Sequence, residues 1–226
     1  MKQYLLFILF STLFSASSFS QYDDSQFWQN IYLEKNITQH WVIHMNEEGR
    51  LTENMTRPSY VYMDWGVTYK ASKHLHFTVA YVPILKRQTN DFASFRHQFY
   101  FDFSLKKKIH NFVFYDRQMF QNQYNDINRA PDWNIPNYYL RNKVTIKYNT
   151  KGRFIPYIAE EIYFQWNNYQ RNGKETDRMR FYAGCFYEMD PINELEAYFL
   201  AEPHYHISQP FTNWIFGLGY ARKLYW

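Results

Sequence analysis

Apolar side chains recur at every second position through most of the chain from Phe27 to Trp226, and no stretch shows the three-to-four spacing of an amphipathic helix. Successive residues of an extended chain point to opposite sides, so this pattern builds strands with one apolar and one polar face. In SYVYMDWGVTY, Val61, Met63, Trp65, Val67 and Tyr69 share one side, opposite Tyr60, Tyr62, Asp64, Gly66 and Thr68. HLHFTVAY sets Leu75, Phe77, Val79 and Tyr81 against His76, Thr78 and Ala80. SFRHQFYFDFSL sets Phe95, Phe99, Phe101, Phe103 and Leu105 against Arg96, Gln98, Tyr100, Asp102 and Ser104. The same alternation runs through NYYLRNKVTIKY, DRMRFYAGCFYEM and ELEAYFLAE. The segment from Ile109 to Phe120 shows no clear face.

The connections alternate as well. Short ones are expected near Asn36–Thr38, Ala71–Lys73, Lys106–Lys108, Asn149–Gly152 and Asp190–Asn193. Longer polar ones are expected near Arg50–Arg57, Arg87–Ala93, Gln121–Ile135, Asn167–Thr176 and Ser208–Asn213. Tight turns on one rim and loops on the other describe a string of hairpins in one domain.

The first twenty residues read as an address. Lys2 supplies a basic start, Tyr4 to Phe14 an apolar run too short to span a bilayer as a helix, and Ser18 and Ser20 a small-residue cleavage site before Gln21. The chain therefore divides into a signal peptide, residues 1–20, and a barrel domain, residues 21–226. A lone cysteine, Cys185, excludes an intramolecular disulfide framework. The net charge of +4, with no basic stripe, gives no reason to expect nucleic acid.

Alternation alone does not say which face is outside. About eleven strands, each carrying four or five large apolar side chains, would overfill a small barrel. The other face places Arg, Lys, Glu, Asp and Tyr in mid-strand, where they can pair across a lumen. Aromatic residues gather near segment ends, as interfacial belts require: Trp28, Trp41, Tyr69, Tyr81, Tyr138, Tyr148, Trp166, Tyr187, Trp214 and Tyr220. These features predict an all-β fold, a single antiparallel up-and-down transmembrane β-barrel of ten to twelve strands. Eleven segments can be marked, but single-chain bacterial barrels have even strand numbers. Twelve is favoured, with an extra strand within Gln121–Ile135.

The presumed lumen lining is Arg96, Tyr100, Asp102, Arg141, Lys143, Lys147, Arg178, Arg180, Glu188, Glu194, Glu196 and Glu202. Basic residues dominate two strands and acidic ones the next, so cross-strand ion pairs of about 0.2–1 kcal/mol each are expected. Of the adjacent Glu160 and Glu161, one should meet a lumenal arginine and the other sit near a rim. The pairs His74/His76 and His204/His206, and the grouping of His206, Ser208 and Glu202, read as rim residues rather than a metal or hydrolase site. No cofactor, metal or catalytic residue is expected, and the chain is read as not an enzyme.

The tail NWIFGLGYARKLYW keeps Trp214, Phe216, Leu218, Tyr220, Leu224 and Trp226 in register. It is similar to the C-terminal strand of bacterial outer-membrane barrels, whose terminal aromatic the insertion machinery recognises; Trp226, Leu224 and Tyr220 would carry that signal. With SQFWQNIYLEKNITQHW, NYYLRNKV, YIAEEIYFQW, DRMRFYAGCFYEM and LGYARKLYW, nearly the whole mature chain resembles one family. It is the outer-membrane barrel family of Gram-negative bacteria known as domain of unknown function twenty-four ninety. The resemblance implies a fold, the cell outer membrane as location, and outer-membrane lipid and the barrel-insertion machinery as partners. It supplies no activity and no catalytic residues.

The expectation is an integral outer-membrane barrel, either a narrow channel or a closed barrel filled by ion pairs and presenting loops. A lipid-modifying hydrolase of the outer membrane and a secreted soluble barrel for an apolar ligand are the alternatives.

Overall fold

The computed structural model describes residues 23–87, 92–126, 135–168, 173–206 and 210–224. The expected signal peptide, Ser208 and Trp226 lie outside them. Eleven strands follow one another: β1 (Asp24–Asn36), β2 (Trp41–Thr52), β3 (Arg57–Lys70), β4 (Leu75–Arg87), β5 (Ala93–Ile109), β6 (Phe112–Tyr124), β7 (Asn137–Tyr148), β8 (Phe154–Asn168), β9 (Gly173–Glu188), β10 (Asn193–Pro203) and β11 (Thr212–Leu224). They form one closed barrel, and no helix occurs among the described residues.

Two expectations need correction. The described residues form eleven strands, within the expected ten to twelve but not the even number favoured, and the barrel is not wholly antiparallel. Every sequential pair is antiparallel, but β1 and β11 pair in parallel from Asp24↔Asn213 to Lys35↔Leu224. The reason is geometric. Hairpins reverse direction at each step, so an odd number of strands leaves the first and last running the same way. The described chain thus starts at the long-loop rim and ends at the short-turn rim.

The segment without a clear face is β6. Its ladder with β5 extends to Ile109↔Phe112, which moves the turn from Lys106–Lys108 to His110 and Asn111. Its faces were hard to read because Asp116 and Gln118 stand on the outside. There the carboxylate accepts from Gln118 Nε2 at 3.1 Å and Asn142 Nδ2 at 2.7 Å.

The remaining faces alternate as the pattern predicts, with large apolar side chains outward. Val79 and Ile158 are each 59% exposed and Phe216 is 58% exposed. Rings cluster near both rims of the outer wall. Trp41 packs on Tyr69 at 4.9 Å and Phe154 on Tyr187 at 4.9 Å on the short-turn side. Phe120 meets Tyr138 at 6.0 Å and Phe199 meets Trp214 at 5.8 Å on the long-loop side. Trp28 is not part of these belts. It points inward, 3% exposed, donates to Gln26 Oε1 at 2.9 Å and lies under the Arg50 guanidinium at 3.7 Å.

The connection from β2 to β3 is a tight turn rather than a long loop. Glu53, Asn54 and Met55 all have positive φ, at 52°, 55° and 65°, a costly conformation for three consecutive L-residues. Asp24 of β1 holds the turn by accepting from the amides of Glu53 at 3.2 Å and Asn54 at 2.8 Å. At the other rim, Asp190 accepts from the amides of Ile192 and Asn193 and from Asn193 Nδ2 at 2.7 Å. Those bonds, chiefly the one from the Asn193 side chain, hold its carboxyl below the usual carboxylate range.

Glycines mark where inward side chains crowd the wall. A Cβ on Gly184 would lie 2.7 Å from Tyr198 Cβ and 2.8 Å from the Ala197 carbonyl oxygen, atoms that cannot rotate away. At Gly49 the nearest atom would be 3.5 Å off. Gly184→Ala is therefore expected to cost about 1–3 kcal/mol of overpacking, and Gly49→Ala far less. Urea unfolding of the two variants in detergent checks the ranking.

Candidate functional site

Because inward residues come from alternate positions of eleven strands, the polar faces converge on one cavity of about 1400 Å³. It reaches the long-loop rim at Asp23, Glu53, Asn54 and Phe211, and runs inward to Thr68, Ser104, Tyr157 and Glu196. Of the lumen residues expected from the sequence, Arg96, Tyr100, Asp102, Arg141, Lys143, Arg178, Arg180, Glu196 and Glu202 line it. Lys147, Glu188 and Glu194 share the inward parity of their strands but lie nearer the short-turn rim. There Lys147 Nζ stands 3.6 Å from the centre of the Phe186 ring.

The charged side chains are not evenly spread. Glu161 of β8 is 1% exposed and serves as a hub. Its Oε1 accepts from Arg117 Nη2 of β6 at 3.0 Å and from Arg141 of β7 through Nη2 at 2.7 Å and Nε at 3.2 Å. Its Oε2 accepts from the Tyr182 hydroxyl of β9 at 3.4 Å and lies 3.6 Å from Arg180 Nη1. Arg180 continues the chain by donating to Glu202 of β10 at 2.5 Å and to the Tyr163 hydroxyl at 2.5 Å. Glu202 Oε1 then accepts from Asn213 Nδ2 of β11 at 3.0 Å and sits 2.9 Å from His204 Nε2. One network of charge-assisted bonds thus ties β6 to β11 from inside.

The facing wall carries a second set, linked to the first through the Trp28 ring, which lies 3.7 Å from the Arg50 guanidinium and 5.0 Å from that of Arg180. Asp64 of β3 accepts from the Tyr100 hydroxyl of β5 at 2.8 Å and lies 3.4 Å from His44 Nε2 of β2. The His44 ring covers Gly66 on the next strand, where any Cβ would collide with it. Glu48 accepts from Arg50 Nε at 2.6 Å and from the Tyr62 hydroxyl at 3.1 Å.

Sequence reasoning missed much of this wall. Positions 42 to 50 read VIHMNEEGR, and Glu47 on the outside is as polar as Glu48 inside, so the alternation there has no contrast. Glu161 meets lumenal arginines, as expected of one member of the Glu160/Glu161 pair. Glu160, however, stands outward in mid-strand between Val144 and Phe181 rather than near a rim. Local inside-outside alternation put it there, and no rim turn is adjacent. Arg117, Arg50, Glu48, Asp64 and Lys86 are further lumen residues without a marked motif. Leu224 and Tyr220 lie on the outer face of β11, Tyr220 donating to Asn193 Oδ1 at 2.6 Å.

The histidine pairs do not converge. His74 stands in a turn with Nδ1 at 2.8 Å from the Lys106 carbonyl, and His206 Nδ1 meets the Thr176 carbonyl at 2.9 Å. Among the described residues, no three of His, Cys, Asp and Glu come together as a metal site would need.

Removing one partner of a buried ion network strands the others. Glu161→Gln is expected to cost about 3–5 kcal/mol, because Arg117 and Arg141 lose their carboxylate and Arg180 loses one of its two. Glu160→Gln, on the outer wall, should change stability by about 0.5 kcal/mol or less. Denaturant midpoints of both variants measure the contrast.

No curated protein matches this sequence. A family model described as "Protein of unknown function (DUF2490)" does, over residues 25–222, which takes in all eleven strands nearly end to end. The chain belongs to that family.

Proposed function

We propose that this chain is an integral β-barrel of the bacterial outer membrane whose polar lumen is a vestibule for small solutes entering from the long-loop rim. The observation that carries the reading is the inversion of polarity. Rings and aliphatic chains cover the outer wall, whereas arginines and glutamates fill the inside. Apolar surface of that extent is unfavourable against water and favourable against hydrocarbon, and a closed barrel leaves no unpaired strand edge within it. Belts of rings near both rims suit the two interfaces of a bilayer. The signal sequence expected at residues 1–20 supports export, and the outward Tyr220 and Leu224 support recognition of β11 by the insertion machinery.

The outward Glu160, Asp116, Gln118 and Asn142 break the apolar band, and the last three bond to one another. Their mutual hydrogen bonds satisfy part of their polarity before any contact with lipid and lower the cost of placing them there. With the short turns on the periplasmic side, the odd strand number brings the start of the mature chain to the outer face. The reading is non-enzymatic: the ring nitrogen of His206 is engaged by a backbone carbonyl. A soluble barrel for an apolar ligand would need an apolar interior, and the lining of this one is dominated by charged and hydroxyl groups.

The Glu161 network crosses the wall of the vestibule, so conduction past it should be narrow. The native protein is expected to migrate as a folded species in SDS until heated and to fractionate with outer-membrane lipid. Recovery in the soluble periplasm would overturn the membrane assignment. In planar bilayers small conductance steps are expected; their absence at every voltage would leave a closed barrel and overturn the pathway.

A further inference from the structure

Nearly every cation of the lumen has an assigned partner. Arg50 is held by Glu48, Arg117 and Arg141 by Glu161, and Arg180 by Glu161 and Glu202. Lys143 lies over the Tyr182 ring at 4.0 Å, Lys147 over Phe186, and Arg178 over Tyr163 at 4.7 Å. One stretch of wall breaks this rule. Lys86 of β4 lines the cavity, yet among the described residues its ammonium makes no hydrogen bond, ion pair or ring contact. Arg96 of β5 has a single long contact, Nε to Ser94 Oγ at 3.5 Å.

The register makes these two cations neighbours. Lys86 is paired with Ser94 and Ile84 with Arg96, so the two side chains are diagonal on one face near the long-loop rim. On the same face Gln98 of β5 pairs with Gln123 of β6, and both amides line the cavity without a hydrogen-bond partner among the described residues. Three adjacent strands therefore present two cations and two amides, all able to donate, with no carboxylate within ion-pair reach of either cation. Like charges side by side repel, and an acceptor seated between them removes that repulsion while gaining charge-assisted bonds.

We propose that this patch is a binding site for a small solute bearing a carboxylate or phosphate group, with Lys86 and Arg96 as its charge partners and Gln98 and Gln123 as donors to its remaining oxygens. The site deepens the vestibule reading above and rests on solutes entering from the long-loop rim. The patch lies inside the strand wall, so a free solute in the aqueous mouth reaches it and a lipid headgroup in the bilayer does not. Planar guanidinium and carboxylate or phosphate match as two-point partners.

The test uses the mature barrel in detergent at fixed low ionic strength, titrated calorimetrically with inorganic phosphate, with succinate and with glucose. Saturable binding of phosphate or succinate, and none of glucose, is expected; the stronger of the two anions identifies the preferred head group. Lys86→Gln and Arg96→Gln should each weaken it about tenfold, the factor that loss of one hydrogen bond to a charged group carries. Gln98→Glu keeps both cations but places a carboxylate in the site, and should abolish binding. Arg222→Gln, on the outer face, should leave it unchanged. Heat-modifiable migration in SDS reports folding of each variant. Absence of anion binding by the wild type, or full binding by folded Gln98→Glu, would overturn the proposal. Binding in a barrel that never conducts would overturn the pathway alone, and conduction without binding would overturn this site alone.

Discussion

Closure of a two-faced ribbon is the constraint on which the rest depends. Once β1 pairs with β11, no strand has a free edge, and every side chain is committed to the inside or the outside by its parity. A slip of one residue would exchange arginines for phenylalanines along a whole strand. The register is therefore defended by both faces together, with ion networks inside and packed rings outside.

The interior follows from that commitment. The inward parity of eleven strands concentrates charge in one space, and most of it is neutralised in place. Glu161 collects arginines from β6, β7 and β9, and Arg180 passes the link on to Glu202 and β11. Bonds across neighbouring strands act as internal cross-links and hold the lumen to one shape. Lys86 and Arg96, near the long-loop mouth of the cavity, are the departure from this economy. The strained turn at Glu53–Met55, fastened by Asp24, borders the same mouth beside them, leading into the strand next to β4.

Much of the fold was legible from the chain. The faces of β3, β4, β5, β7, β9, β10 and β11 are those the alternation predicts, because large apolar and charged residues contrast sharply there. Legibility failed where contrast failed. In β2, Glu47 and Glu48 are adjacent and alike, so nothing local marks His44 and Glu48 as lumenal. In β6, Asp116 and Gln118 make the outer face polar, so Arg117 between them carries no contrast that marks it as lumenal. Trp28 lies near a segment end, where the pattern places belt residues. Its ring is instead the platform under Arg50, a role that depends on the next strand rather than on its own.

What the sequence by itself determined is periodicity: strands, their two faces, the hairpin order and the family resemblance. These are local properties, written in residues two apart and in the turns between them. Only the tertiary structure decided the strand number, the parallel seam and the company each lumenal charge keeps. Those depend on which strands become neighbours and at what height, and residues such as Glu161 and Arg117, 44 positions apart in the chain, carry no local mark of the 3.0 Å bond that joins them.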